Sequence, residues 1–401
     1  MAGIARETSS IENDNIDLLK QKYEEVKLEI SNFLKSKPDR NKLSDEDKKI
    51  LRFKYSTAAS YAYELSHRML SNPELQEKYK EDFKKLSEKA ISYGSIAKHE
   101  VPDTTLDDIK GLDDVKELIE SFFFMIQNPK LMEYYNLEGG LGMMMYGAPG
   151  TGKTMFAKAI ANKMGLPLFI ITPADIFKSY VGASEAAVKD LFIEMEACPK
   201  GAVLFIDECE SIFSKRTNET KDYKSAVTTE LLQRMNGFNS DGSKRIMIAA
   251  TNRPDQIDSA YLRYKRFSYL VHITPPDDVA LRAIIESKLR HKDGTEIALD
   301  DITIDDIMSM AENYTYSVED EGLGPVRTRT AYYSAADISG IVEEACRLAV
   351  EKLQERKSSI AIPLTREMFE KAFDKIRPSI SAKLLEKLER FKEDKEMKWD
   401  D

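Results

Sequence analysis

Residues 147–154 read Gly-Ala-Pro-Gly-Thr-Gly-Lys-Thr, which fits the phosphate-binding pattern G-x-x-x-x-G-K-[ST]. A short apolar run at 141–146 precedes this loop, and a helical pattern begins at Met155. A strand, a glycine-rich loop and a helix in this order allow backbone N–H groups and a helix N-terminus to hold a polyphosphate. We therefore expect a nucleotide site in which Lys153 reaches the β- and γ-phosphates and the Thr154 hydroxyl binds Mg²⁺.

Charge and cysteine content narrow the range of partners. The chain has 401 residues, enough for two or three domains, and its formal net charge of −10 argues against nucleic acid as the main partner. The three cysteines, Cys198, Cys209 and Cys346, form no CxxC pair, which favours a reducing, cytoplasmic location over a disulfide framework or a zinc site. The start of the chain shows no signal-peptide pattern, and we expect no transmembrane segment because the apolar runs are short.

Patterns along the chain predict several units. The polar start at 1–14 is expected to be disordered. Apolar residues three and four apart predict a three-helix bundle within 15–95, and glycine, proline and mixed charge predict a linker at 96–105. Short apolar runs alternate with helices over 106–276, which is typical of an α/β domain with a parallel sheet. The remainder, 277–401, is again helical and forms a predicted small domain.

One segment of the small domain departs from the helical pattern. Residues 316–332 combine glycines, a proline and charges of both signs. We interpret them as an insertion that forms an exposed loop.

Two acidic residues follow an apolar run about fifty residues after the phosphate loop. The run at 202–206 predicts a buried strand, and Asp207 and Glu208 come directly after it. We expect Asp207 to complete the Mg²⁺ shell and Glu208 to orient and polarise an attacking water. Apolar strands that end in two acids are common, so this interpretation depends on the phosphate loop that precedes them.

A polar residue and two arginines follow the next apolar run, 245–251. Asn252 ends this run, and strand C-termini line the ligand crevice of a doubly wound sheet, so we expect Asn252 to help position the water. A simple strand-ending turn is the alternative. Arg263 and Arg266 lie three residues apart, and guanidinium groups stabilise charge on a transferring phosphoryl group, also from a neighbouring subunit. A solvent-exposed basic helix end is the alternative for this pair.

An unusual apolar pair lies after the second α/β unit. Tyr180 and Val181 are neighbours, with Lys178 before them and Gly182 after them. Such flanks are unusual in a core, so we expect an exposed loop that grips a substrate. A half-buried tyrosine at the start of a helix is the alternative.

Taken in order, these motifs resemble those of the AAA+ ATPases, over about residues 104–392. Within them the chain most closely resembles the AAA proper, in the subgroup of katanin, spastin, fidgetin and the ESCRT-disassembling ATPase. The resemblance implies an α/β P-loop module with a helical small domain, and it implies further nucleotide contacts from an adenine-contacting loop and from a second-sensor helix. The complete set of expected nucleotide contacts is Asp108, Ile109, Gly111, Gly147, Ala148, Pro149, Gly150, Thr151, Gly152, Lys153, Thr154, Met155, Ala335 and Ala336.

The resemblance also implies a mode of action. Six subunits of that family form a ring with nucleotide between neighbours, and pore-loop aromatics draw a polypeptide through the centre. This implies ATP and Mg²⁺ as cofactors, a homo-hexamer whose assembly can depend on ATP, and Arg263 and Arg266 acting in a neighbour's site. Tyr180 and Val181 match the pore loop. The favoured function is an ATP-hydrolysing protein remodeller, with a nucleotide-gated scaffold of low turnover or a nucleic-acid-associated loader as alternatives.

Some features differ from the family pattern or are less specific. Ala148 replaces a usual proline, Ala335 replaces a glycine near the expected adenine pocket, and Lys265 replaces a glycine between the two arginines. The N-terminal bundle resembles the microtubule-interacting-and-trafficking type in length, helix number and position, as a generic helical bundle also would. It is expected to bind an adaptor or a substrate.

Overall fold

The computed structural model describes residues 2–37, 39, 42–100, 102–135, 142–177, 183–198, 200–214, 227–231, 233–234, 244–262, 266–291, 293–320, 325–355 and 360–396. The helices are α1 Ala2–Ser36, α2 Asp45–Arg68, α3 Pro73–Ser92, α4 Asp113–Gln127, α5 Pro129–Tyr134, α6 Lys153–Met164, α7 Pro173–Ile176, α8 Ala183–Glu196, α9 Asp278–Lys288, α10 Ile304–Thr315, α11 Ala335–Glu355, α12 Arg366–Lys375 and α13 Ala382–Glu396. The strands are β1 Lys98–Glu100, β2 Gly142–Tyr146, β3 Leu168–Ile171, β4 Gly201–Ile206, β5 Lys244–Thr251, β6 Phe267–His272, β7 Leu299–Asp300, β8 Tyr316–Asp320, β9 Pro325–Arg329, β10 Ala331–Tyr332, β11 Leu364–Thr365 and β12 Ile380–Ser381.

A six-stranded sheet in the order β1-β3-β4-β5-β2-β6 forms the centre of the α/β domain. All pairings are parallel except that of the edge strand β1 with β3, which confirms the predicted α/β fold. Every residue of β4 is buried, as expected for a strand covered by helices on both faces. Because β2, β4 and β5 are parallel neighbours, Gly147, Asp207 and Asn252 follow them at one edge of the sheet.

The N-terminal region is helical, as predicted, and its helix starts follow local capping chemistry. Ser44 and Asp47 form a capping box at the start of α2, and Asn72 caps α3 ahead of Pro73. Tyr63 and Phe83 pack in the core between the helices. The apolar spacing identified these helices because their core faces recur every three to four residues.

The expectation of a disordered segment at 1–14 is wrong for residues 2–14, which belong to α1. This segment contains no proline, and its alanines and glutamates favour helix.

The predicted linker at 96–105 contains β1, so its description as a linker is wrong at 98–100. His99 is buried in this strand, and its ring lies 4.3 Å from that of Phe169 in β3. A strand of three residues is too short to show a periodic pattern, and only its partner strand identifies it.

The insertion at 316–332 is also different from the expected loop. Strands β8 and β9 pair antiparallel within it, and β10 pairs antiparallel with β12. Val318, Val326 and Thr328 are β-branched, which favours strands on both sides of the glycine-containing stretch 321–324.

Four of the C-terminal helices form a separate core, and the last helix packs against the α/β domain. Helices α9 to α12 pack around residues such as Ile285, Ile341 and Phe369. Helix α13 packs back on the α/β domain, where Leu388 is buried with Tyr146 and the loop residue Ala148. Across the described residues, no helix combines the length and apolar character needed to cross a membrane.

Candidate nucleotide site

The loop between β2 and α6 depends on glycines at two close approaches. A Cβ atom at Gly147 would lie 2.1 Å from the Ile273 carbonyl oxygen, and one at Gly150 would lie 2.6 Å from the Ser334 hydroxyl. Gly150 also has φ +75°, a left-handed conformation that favours glycine. The loop therefore has both the sequence and the close backbone packing of a phosphate cradle.

Lys153 begins α6 and directs its ammonium group back into the loop. Its Nζ donates to the carbonyl oxygens of Gly147 at 3.0 Å and Ala148 at 2.8 Å. Burial lowers the pKa of Lys153 from 10.5 to about 8, while the carboxylates of Asp207 and Glu210 act in the opposite direction. The site thus contains a buried cation that an anionic phosphate would help to keep protonated.

Oxygen ligands suitable for Mg²⁺ lie next to this loop. The Thr154 hydroxyl donates to Asp207 Oδ2 at 3.2 Å, and the Glu208 N–H donates to Asp207 Oδ1 at 2.9 Å. A hydroxyl and a carboxylate beside a phosphate cradle are the donor set that Mg²⁺ uses with nucleotides, so these residues fit the ion. Glu208 itself has φ +50° and an exposed side chain, which leaves its carboxylate available at the surface of the site.

Asn252 lies at the C-terminal end of β5 with an unsatisfied polar atom. Its Oδ1 is buried and has no hydrogen-bond partner among the residues described. Buried polar atoms in native folds normally have a hydrogen-bond partner, so this oxygen is suited to accept from a water or a ligand. Next to it, the Thr251 hydroxyl donates to Glu210 Oε2 at 2.8 Å and accepts from the Arg253 N–H at 2.9 Å, which fixes the backbone around Asn252.

Two cavities flank the loop. A cavity of about 790 Å³, here called the acid-side cavity, is lined by Pro149, Glu208, Asn252 and, from α13, Lys387 and Leu388. Lys387 and Glu210 also line this cavity, and neither residue was predicted from the sequence. The third acid in Asp207-Glu-Cys-Glu210 was a signal for Glu210, whereas no local pattern indicates where α13 packs.

The second cavity, of about 710 Å³, is here called the loop-side cavity. It is lined by Asp108, Ile109, Gly152, Met155 and Ala335 among others. Its volume lies within the range of small-molecule sites. Residues from distant parts of the sequence therefore meet beside the phosphate loop, which is the arrangement that the resemblance implied for the nucleoside part.

Three of the predicted nucleotide contacts in or near this cavity also have structural roles. The Ala336 N–H donates to the Gly150 carbonyl at 3.1 Å, which ties α11 to the phosphate loop. Asp108 accepts from the Thr105 N–H and hydroxyl, bonds that lower the pKa of its carboxyl. Gly111 has φ +72° and allows close packing of Ala280, because a Cβ there would lie 2.9 Å from the Ala280 Cβ.

The predicted arginines and the predicted substrate loop are not among the described residues that line the two cavities. Arg266 lines neither cavity in its own chain, and its Nη1 donates to the Ala260 carbonyl. Arg263 lies outside the described residues, as do Lys178, Tyr180, Val181 and Gly182.

Residues 143–275, which contain the loop and all three strand ends, match the family described as "ATPase family associated with various cellular activities (AAA)". The chain carries an AAA ATPase domain. The reaction of such a domain is hydrolysis of ATP to ADP and phosphate, and the buried lysine, paired oxygen ligands and exposed glutamate have the chemistry that this reaction requires.

Relatives of the AAA domain extend the similarity beyond the matched family segment. Protein SAV of Sulfolobus acidocaldarius is 32% identical over 302 residues, covering 73% of this chain and 37% of the relative. A cell division cycle protein 48 homolog of Archaeoglobus fulgidus is 32% identical over 72% of this chain and 37% of its own length. A proteasome-activating nucleotidase of Methanocaldococcus jannaschii is 31% identical over 64% of this chain and 59% of its own length. The matches thus span from over a third to about three fifths of these relatives.

Proposed function

We propose that this chain is an ATP-driven protein remodeller, an unfoldase, disassembly or severing motor. The observation that carries the proposal is the position of Glu208, exposed in the acid-side cavity beside the Thr154–Asp207 pair and the unsatisfied Asn252 Oδ1. A binding-only switch would not need an acid at this position. The name of the archaeal relative, a proteasome-activating nucleotidase, supports nucleotide chemistry that acts on protein partners.

Each residue of the site has a proposed task in hydrolysis. Lys153 binds and neutralises the phosphates, and Thr154 and Asp207 hold Mg²⁺. When bound, the ion supplies charge neutralisation and orientation of the phosphate oxygens. Glu208 takes the proton of the attacking water, and Asn252 Oδ1 accepts a hydrogen bond that orients this water.

The assembly is a second part of the proposal. Arg266 lines neither cavity of its own chain. We assign Arg263 and Arg266 to the site of the adjacent subunit in a homo-hexamer, where they would stabilise charge on the transferring phosphoryl group. Tyr180 and Val181 form the pore loop that grips an extended polypeptide.

The proposal also covers the family subgroup, the binding surface of the N-terminal bundle and the cellular location. We assign the chain to the katanin, spastin, fidgetin and ESCRT-disassembling subgroup on the resemblance of its motifs. We assign adaptor or substrate binding to the outer face of α1, where Leu18 and Leu28 are exposed. The free thiols of the three cysteines support a reducing, cytoplasmic location.

The test of hydrolysis compares wild type with Glu208→Gln at saturating ATP and Mg²⁺. Loss of the base should lower kcat by about 10²–10⁴-fold while ATP still binds. Glu117→Gln, which changes an exposed glutamate on α4, serves as the matched control and should keep wild-type turnover. Wild-type turnover as slow as that of Glu208→Gln under assembling conditions would instead identify a nucleotide-gated scaffold.

The test of substrate grip compares Tyr180→Ala with Tyr180→Phe. We expect Tyr180→Ala to keep basal ATPase and lose processing of an unfolded polypeptide, because the aromatic contact area is removed. Tyr180→Phe retains that area and should process normally. Normal processing by Tyr180→Ala would remove the pore-loop role, and stimulation by DNA or RNA alone would favour a loader.

A further inference from the structure

Helix α2 of the N-terminal bundle runs parallel to α8 of the AAA domain, in register. Arg52 Nη2 donates to Asp190 Oδ2 at 2.5 Å, and one turn later the Ser56 hydroxyl donates to Glu194 Oε2 at 3.0 Å. A further turn along, the Ser60 hydroxyl lies 2.9 Å from Cys198 Sγ, just past the end of α8. Each step advances both segments by four residues, so this face of α2 is matched to α8 rather than to solvent.

A buried carboxylate lies at the centre of this contact. The Glu194 side chain is only 1% exposed, and Arg52 Nε lies 3.1 Å from its Oε1. The Ser95 hydroxyl also donates to Glu194 Oε2 at 2.8 Å, and His99 Nε2 lies 3.5 Å from the same oxygen. A carboxylate this buried requires its partners, which come from α2 and from the segment around β1.

The same face of α2 continues to the end of the phosphate-loop helix. Lys200, which precedes β4, pairs with Glu64 at 3.0 Å. At the C-terminal end of α2, His67 packs against Gly165, the residue that ends α6. A Cβ at Gly165 would lie 2.9 Å from two atoms of the His67 ring. We call Arg52, Ser56, Ser60, Glu64 and His67 the α2 seam.

The α2 seam therefore touches the distal ends of two helices that begin at functional segments. Helix α6 begins at Lys153 in the phosphate loop, and α8 begins at Ala183, directly after residues 178–182 in sequence. A helix is a stiff element, so holding its far end restricts its near end.

We propose that α2 is a strut that fixes α6 relative to α8, and that Arg52 is a positioning residue for the motor. The bundle is then a permanent part of the ATPase unit instead of a freely tethered adaptor. The consequence for substrate handling rests on the proposed function, since it takes 178–182 as the substrate loop. Nucleotide binding at the start of α6 would reach α8 through this strut.

The docking test measures hydrogen exchange at β1 in the full chain, without nucleotide or substrate. Arg52→Met leaves Glu194 buried without its cation, so exchange at residues 98–100 should accelerate on the order of a hundredfold. The control Lys54→Met breaks only the more exposed Lys54–Glu29 pair on the other side of α2, and exchange should stay within about twofold.

A double variant keeps the test valid if Arg52→Met folds poorly. Arg52→Met combined with Glu194→Gln removes both charges of the buried pair, and the amide oxygen of the glutamine still accepts from the Ser56 and Ser95 hydroxyls. Exchange at β1 should return to within a few-fold of wild type. Unchanged exchange in Arg52→Met, or no recovery in the double variant, would overturn the strut.

The functional arm measures ATPase with and without an unfolded polypeptide. Arg52→Met should keep basal kcat within about twofold and lose the polypeptide stimulation, and the double variant should regain it. Normal stimulation in Arg52→Met despite accelerated exchange would overturn the positioning role. No stimulation in wild type would overturn the proposed function and this coupling with it, while the exchange result would still decide whether α2 is docked.

Discussion

Lys153 shows how one residue can set the conditions under which the site binds its ligand. Its ammonium group is buried among loop carbonyls, and burial lowers its pKa to about 8. The motif predicts that this lysine contacts the phosphates of a bound nucleotide. It could not predict this pKa, because burial depends on how the loop packs against β6 and α11.

We predict that ATP affinity falls above pH 8. The free chain then loses the Lys153 proton, whereas bound phosphate stabilises the ammonium form, so binding must take up a proton. The association constant should approach a fall of about tenfold per pH unit, and phosphate itself contributes little because its last proton leaves near pH 6.

Calorimetry at pH 9 in two buffers with different ionisation enthalpies measures this uptake, which should approach one proton. Lys153→Arg stays charged throughout this range and is the matched control, with an affinity that does not change with pH. Zero uptake by wild type at pH 9 would contradict the prediction.

A second residue-scale prediction separates packing from backbone strain in the phosphate loop. Gly150 and Gly152 both have left-handed φ, but an added Cβ meets Ser334 only at Gly150 and nothing within 4 Å at Gly152. Both alanine variants should lose about 1–2 kcal/mol of unfolding free energy from strain, and Gly150→Ala should lose about 1–3 kcal/mol more from overpacking.

Chemical denaturation without nucleotide checks this difference, since no ligand then contacts either position. Equal losses in the two variants would mean that α11 moves away from the loop at no cost.

At the scale of elements, the sequence predicted those that have a clear period or a cap. The buried strands β2, β4 and β5 are continuous apolar runs, and α2 and α3 start at capping residues. These signals are local, so they can be recognised in the sequence without knowledge of the rest of the fold.

The elements that were missed depend on distant partners. Strand β1 has three residues and exists because β3 offers an edge. The seam serines Ser56 and Ser60 look like a solvent-facing side of an amphipathic helix, yet both are buried against α8 and its end. Period analysis assigns polar residues to solvent and cannot distinguish a buried polar seam from an exposed face.

Helix α13 gives a prediction at this scale. Leu388 is 2% exposed and packs near Tyr146 and Ala148, so Leu388→Ala should cost about 2–5 kcal/mol of docking free energy, or the full docking energy if that is smaller. Loss of α13 also removes one wall of the acid-side cavity, so turnover should fall.

Hydrogen exchange across 382–396 and ATPase assays measure the two effects. Glu393→Ala changes an exposed residue of the same helix and should alter neither. Faster exchange with unchanged turnover would show that α13 does not contribute to the catalytic side of the loop.

At the scale of the whole molecule, one chain holds the phosphate loop, the proposed metal ligands and the proposed base, whereas Arg266 of the predicted arginine pair does not line the acid-side cavity. Arg266 donates to Ala260 and lines neither cavity. Catalysis of phosphoryl transfer benefits from a cation near the phosphates, and Arg253 and Lys387 of the same chain line the acid-side cavity. The proposal that a second copy completes the site therefore depends on the role assigned to the arginine pair. The sequence motifs predict both parts of this proposed shared site.

Mixing two inactive variants tests this arrangement. Arg266→Ala keeps the phosphate loop and Glu208 but should lose most turnover, because each site then lacks the arginine from the neighbouring subunit. Glu208→Gln keeps the arginine but lacks the base in its own site. If the groups act in trans, random mixing at equal amounts restores the combination of intact acid and intact arginine at about one site in four, so activity should rise well above that of either variant alone. Arg290→Ala, at an exposed arginine of the small domain, should stay active and provides the reference for assembly. If both groups served the same chain's site, every subunit in the mixture would carry one defect, and the mixture would be no more active than the average of its two components.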